Sequence, residues 1–267
     1  MGHGRTTASY GSASSSRSEP AQRHGRGGPR AALLTALLTA LPLGALPSAL
    51  AQTPAALGDR GEYAAAWERA HTVPTAAMQT TAARAATDEV VYHLVPSGAP
   101  LAEQLPWLQR AVTAAEQATK LDPSSATAVV QLARAKGEIA RRSGVLQNLG
   151  VASELKALFD RALELDPDDA DALVGLAMWH LELVQNGVGW LYGGRKDAVR
   201  PLLERGVAAA PRQRNLRVEY ATALIALGDE ASAREQLELA LELPAARASD
   251  ELERARAAAM LATLDDR

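Results

Sequence analysis

The sequence predicts an all-α fold: a right-handed α-solenoid of antiparallel helix pairs, about ten helices in all. Three observations carry that expectation. Hydrophobic residues make up 47% of the 267-residue chain, and alanine and leucine supply most of them, with a single phenylalanine. Straight-chain side chains and alanine lose the least freedom in a helix, so this composition favours helices. A small residue followed by a mixed run to proline then recurs four times, and after three of these segments a second apolar-periodic run begins almost at once.

The expected elements follow in chain order. "GEYAAAWERA" places a helix over 55–71, and helices are expected at 75–94 and 100–121, the last ending in "AVTAAEQATKLDP". "SSATAVVQLARAKGEIA" gives 124–143, "LKALFDRALELDP" gives 151–166, and "DDADALVGLAMWHLEL" gives 169–186. "VRPLLERGVAAAP" falls in 195–210, "RNLRVEYATALIAL" in 213–227, and "ASAREQLELALELP" in 230–243. "DELERARAAAMLATL" lies in a closing helix at 247–265, with Ala257, Met260, Leu261 and Leu264 inward and Glu251, Glu253 and Arg254 in water. No strand is expected.

Proline lacks an N–H and disfavours a helical residue before it, so Asp122-Pro123 and Asp166-Pro167 end their helices. The Ser or Asp residues after each proline can cap the helix that follows. The recurring small residue, at Ala118, Ala162, Gly206 and Ala240, lets two helix backbones approach closely; the spacings are 44, 44 and 34. One such pair cannot bury its own apolar stripe, so the pairs must stack.

A period of 34 with this order is that of the tetratricopeptide repeat, and "GDEASAREQLELALELP" and "SELKALFDRALELDPDDADALVGLA" resemble that family. The two longer units add ten residues each, in "RRSGVLQNLGVAS" and "VQNGVGWLYGGRK". With these insertions, the stretch from about Tyr63 to Leu264 is similar to the helical-repeat domain of the regulator of microtubule dynamics family. A weaker resemblance, through Gly193-Gly194 before a repeat helix, is to the T component of TRAP transporters, a periplasmic tetratricopeptide protein.

Residues 1–30, rich in Ser, Gly and Arg, are expected to be a disordered leader. Residues 31–51 follow Arg23, Arg26 and Arg30 with a short apolar segment, "AALLTALLTALPLGAL", and end in "ALA". That order is a secretory signal peptide, and the segment, interrupted by Pro42 and Gly44, is shorter than the ~20 residues a membrane span needs. The repeat domain is therefore expected over 52–267, in an exported protein, periplasmic or secreted. The alternative is an N-terminal membrane anchor, with membrane association only if the leader stays uncleaved.

Beyond residue 51 the chain carries 23 basic and 30 acidic side chains, the wrong sign for a nucleic-acid binder. No cysteine is present, which excludes disulfides and thiol chemistry. His71, His93 and His180 form no metal-ligand spacing. "NGVGWLYGGRKD" lacks the spacing of either phosphate-binding loop, and no nucleophile motif occurs. No catalytic, cofactor-binding or metal residue is assigned, and no cofactor is expected.

By the tetratricopeptide resemblance, the first helix of each pair lines a concave groove. That implies Val130 and Arg134 in one repeat, Val174, Met178 and Leu181 in the next, and Val218, Thr222 and Ile225 in the third. Trp190 and Tyr192, from the second insertion, are candidate walls, while Trp179 is placed in the core. The groove so drawn holds one Arg and one Asn, Arg134 and Asn215, with valine recurring, and is mainly apolar. It suits a protein partner or amphipathic helix, making the chain a non-catalytic scaffold or adaptor, or alternatively a carrier of a lipid or other apolar molecule, including a transporter accessory role.

Overall fold

The computed structural model describes residues 52–143 and 149–266. The leader and signal segment, with the expected cleavage site before Gln52, lie outside the described residues. Among the described residues there are twelve α-helices and no strand, and no helix is long and apolar enough to cross a membrane.

Helices α1 (Pro54–Asp59) and α2 (Tyr63–Ala70) divide the segment expected as one helix. The break is Gly61, whose φ of +82° is open to glycine and closed to most side chains. Helix α3 (Ala76–Glu89) runs into a single π-helical turn, Val90–Leu94, where one extra residue shifts the ladder. Then come α4 (Leu101–Leu121), α5 (Ala126–Ser143), α6 (Leu149–Leu165) and α7 (Ala170–Gln185). A four-residue helix not expected from the sequence, α8 (Gly189–Tyr192), sits in the second insertion. Helices α9 (Lys196–Ala209), α10 (Arg214–Leu227), α11 (Glu230–Glu242) and α12 (Ala248–Asp265) complete the chain. The ends of the expected helices agree with their bounds to within two residues from α4 onward, because proline and cap chemistry set them.

The two Asp-Pro corners are built alike. Asp122 accepts from the Ser124 backbone at 3.0 Å, and Asp166 from the Asp168 backbone at 3.2 Å, each folding the chain into a side-chain turn. The next helix is then capped, at α5 by Ser125 accepting from Ala128 N–H (3.2 Å) and at α7 by Asp169 accepting from Ala172 N–H (2.8 Å).

The core is a chain of overlapping clusters. Trp67, Ala82, Ala86, Ala111 and Leu132 belong to the first, Val129, Leu155, Phe159, Leu176 and Trp179 to the second, and Val174, Leu203, Leu216, Leu224 and Leu237 to the third. Helices α5 and α7 each contribute to two clusters, so every pair finishes its burial against its neighbour. Ala118, Ala162 and Ala240 are wholly buried, and Gly206 is buried with them, so the recurring small residue occupies a helix seam in each unit. Trp179 is core, as expected: its indole N–H donates to the Ala152 carbonyl at 2.9 Å.

Candidate functional site

The helices fall into an inner and an outer row. Helices α3, α5, α7, α10 and α12 are inner, and their facing side chains line one cavity of about 1340 Å³. The row curves until α12 reaches the start of α2 and the π-turn that follows α3. A Cβ added to Gly61 would lie 3.0 Å from Ala248 Cβ, the Tyr63 hydroxyl faces Ser249, and the Tyr92 hydroxyl is directed at the Glu253 carboxylate. Glycine at 61 is therefore required twice, by its backbone conformation and by the approach of α12.

Six of the expected groove residues line the cavity: Val130, Arg134, Val174, Met178, Leu181 and Thr222. Four do not. Val218 is fully buried in the seam between α10 and its neighbours, and Ile225 packs against the same cluster, because the groove stripe of α10 runs from Asn215, as expected, through Glu219 to Thr222. Trp190 stands 84% exposed away from the groove, and Tyr192 packs against the cluster of α6 and α7. The insertion that carries both residues folds over the outside of the stack, held by close backbone packing: a Cβ on Gly194 would meet Leu183 Cβ at 2.8 Å.

The groove carries more charge than the valine-rich lining with one Arg and one Asn that the sequence suggests. Arg134 pairs with Asp88 at 2.6 Å, Arg256 with Glu219 at 2.7 Å, and Arg141 and Arg142 both clasp Glu138. Burial works most strongly against the Arg134 charge, but Asp88, Tyr92 and Glu138 together outweigh it, so its pKa is raised above the ordinary guanidinium value. Burial likewise works against the Glu138 charge; the two arginines prevail and hold its carboxyl below its ordinary value. Arg134 is itself among the expected groove residues, and Glu138 and Glu219 lie one helical turn from Arg134 and Thr222 and share their stripe by periodicity.

Glu253 is a further correction. Expected in water, it is 6% exposed and lines the cavity. Burial raises its pKa, only partly offset by Arg256, whose nearest nitrogen is 3.6 Å away. Burial also raises Glu182, which forms no ion pair among the described residues. Tyr63, buried beside Asp88, is pushed up to about 12 by burial first and the carboxylate second. Asp88, Tyr92 and Glu253 were missed because α3, its π-turn and α12 lie outside the three units in which the repeat was recognised.

A smaller cavity, about 510 Å³, opens beside His180. His180 Nδ1 accepts from the Arg195 N–H at 3.1 Å, and burial, with Arg195 and Lys156 nearby, lowers its pKa and keeps the ring neutral. Among the described residues no group of three His, Asp or Glu side chains is placed to hold a metal ion.

Paired helices in two rows, with a groove lined by the inner row, define a helical-repeat protein of the tetratricopeptide type. Residues 63–191 match the model of the family described as regulator of microtubule dynamics protein 1-3. No curated protein matches the sequence. Among solved structures, the chain is similar to TTC0263, a thermophilic tetratricopeptide protein of Thermus thermophilus, with 18% identity and a TM-score of 0.54, covering 82% of this chain and 96% of that one. A structure of the MamA protein aligns with 15% identity and a TM-score of 0.41, covering 75% of this chain and 92% of that one. At these identities the likeness to TTC0263 speaks for the fold alone.

Proposed function

We propose that this chain is a non-catalytic, exported scaffold that holds a segment of a partner polypeptide in the groove of its inner helices. The observation that supports this reading is the groove itself. Its 1340 Å³ extends across five helices, beyond the roughly 300–1,000 Å³ typical of small-molecule pockets, and each helix contributes a polar or charged side chain. A polypeptide offers hydrogen-bonding groups at every residue and matches such a wall better than a hydrocarbon chain does. Export rests on the order of charge, apolar segment and small residues ahead of Gln52.

A second reading, a carrier of a lipid or other apolar molecule, draws support from the apolar residues that line the same groove, Val130, Val174, Met178 and Leu181. One experiment separates the two. The full chain is expressed in its own cells with a photo-crosslinking amino acid in place of Met178, irradiated, and analysed by mass spectrometry. A stoichiometric polypeptide adduct is the expected result; copurifying lipid with no polypeptide adduct overturns the scaffold in favour of the carrier. N-terminal sequencing of the mature chain is expected to begin at Gln52, and an intact Arg30 would overturn export by a cleaved signal.

A further inference from the structure

The groove's hydrogen-bonding capacity is unbalanced in one direction. Among the described residues, only two buried side-chain atoms lack a hydrogen-bond partner, Gln131 Oε1 and Glu253 Oε2. Both residues line the groove, both are more than nine-tenths buried, and both atoms are acceptors. Native structures rarely leave such atoms unpaired, since each costs roughly the desolvation of a polar group. The arginines nearby are already committed: Arg134 to Asp88 at 2.6 Å and Arg256 to Glu219 at 2.7 Å. Glu253 Oε2 keeps only a 3.6 Å contact with Arg256, beyond hydrogen-bond reach, and Glu182 lines the groove without an ion pair among the described residues. The unspent chemistry of this surface is thus three acceptors, two of them carboxylates.

Resting on the scaffold reading above, we propose that the groove selects a basic segment of its partner, whose lysine or arginine side chains donate to Glu253, Gln131 and Glu182. Cationic side chains seated along the groove would give these acceptors donors and offset the burial of the Glu182 and Glu253 charges. The valines and Met178 of the groove receive the stems of the same long side chains, which are themselves apolar. An acidic tail finds the reverse: Arg134, Arg141, Arg142 and Arg256 each already face a carboxylate of the groove, and Glu182 and Glu253 repel it.

The test uses the full chain and three labelled peptides of equal length, in which leucine alternates with lysine, glutamine or glutamate. Fluorescence anisotropy measures affinity, and crosslinking from the photo-reactive residue at position 178 reports whether any peptide lies in the groove. The lysine peptide is expected to bind about tenfold more tightly than the glutamine peptide, and the glutamate peptide most weakly. Glu182→Gln and Glu253→Gln are each expected to lower the lysine-peptide affinity roughly three- to tenfold, leaving the glutamine peptide unchanged. Circular dichroism and thermal unfolding check that the variants fold, and Glu182→Gln serves alone if Glu253→Gln does not. Equal or tighter crosslinking and binding of the glutamine or glutamate peptide overturns the basic preference and leaves the scaffold standing. So does a preference that survives both substitutions. No crosslink to any peptide, with phospholipid found in the purified chain, overturns the scaffold and the basic preference together.

Discussion

A Cβ built on Gly206 would lie 2.7 Å from Val174 Cγ2 and 3.3 Å from the Ala170 carbonyl oxygen. The same recurring site holds alanine at positions 118, 162 and 240, where the seam admits a methyl group. At 206 it does not, because α9 crosses α7 closely enough to press on a groove-lining valine. Gly206→Ala is therefore expected to destabilise. Relief of the helix penalty of glycine, about 1 kcal/mol, opposes overpacking that costs about 1–3 kcal/mol, and the stiff valine and the backbone oxygen leave the methyl nowhere to go. Urea unfolding checks this, and Val174→Ala in the same chain should recover part of the loss. An additive double mutant would show that the two residues do not press on each other.

Arg214, at the start of α10, is 1% exposed and forms no ion pair among the described residues. Its guanidinium donates to three carbonyls instead: Ala240 at 2.9 Å, Asp250 at 2.7 Å, and Leu243. It thereby ties the end of α11 to the first turn of α12. Arg214→Met is expected to cost about 3–5 kcal/mol, since three buried acceptors lose a charged donor at once. Arg214→Lys should recover little of it, because an ammonium cannot reproduce the planar fork. Hydrogen exchange over 243–250 is the discriminating measurement: it should rise in both variants, as α12 loosens from the groove it closes.

The sequence made the helix ends and the repeat legible for a physical reason: proline, capping side chains and small seam residues act locally. Gly61 was not legible as a break, because its conformation is imposed jointly with the approach of Ala248, which lies near the other end of the chain. Trp190 and Tyr192 belong to an insertion whose position no repeat period constrains. Glu253 is more instructive. It lies four residues before Ala257 and eleven before Leu264, both buried, so periodicity places it on the inward face while its charge argues for water. The helix register prevailed, since α12 is pinned from outside by Arg214 and by packing of Ala257 and Leu264. The ion pairs Arg134–Asp88 and Arg256–Glu219 join residues 46 and 37 positions apart, and no local pattern announces them.

Trp179→Phe keeps the ring in the core and removes only the indole N–H, leaving the Ala152 carbonyl without its 2.9 Å donor. The expected loss is about 1–3 kcal/mol, the penalty for stranding a buried acceptor. Denaturant unfolding should show a lower midpoint with an unchanged slope. An unchanged midpoint would mean that water reaches Ala152 and the bond contributes nothing.

The two buried glutamates of the groove should respond to pH with opposite signs. Burial raises Glu253 above 4.5 in the folded chain, partly offset by Arg256, with Glu219, Tyr92 and Arg134 also facing it. The folded state therefore holds this proton more tightly than the unfolded state does, and the group weakens the fold as pH rises through its raised value. Glu138 is held below 4.5 because Arg141 and Arg142 outweigh its burial, so it strengthens the fold above its unfolded value and loses that contribution as pH falls through its folded one. Glu253→Gln should accordingly raise the thermal midpoint at pH 7, with the gain shrinking toward pH 4, whereas Glu138→Gln should lower the midpoint at pH 7, with the loss shrinking in the same direction. Paired thermal scans of both variants across that range decide the matter. A carboxylate that costs stability where the protein works, and whose neutral replacement folds better but binds a basic peptide less well, is kept for binding. If Glu253→Gln lowers the midpoint at pH 7, Glu253 is satisfied within the fold and has no capacity left for a partner.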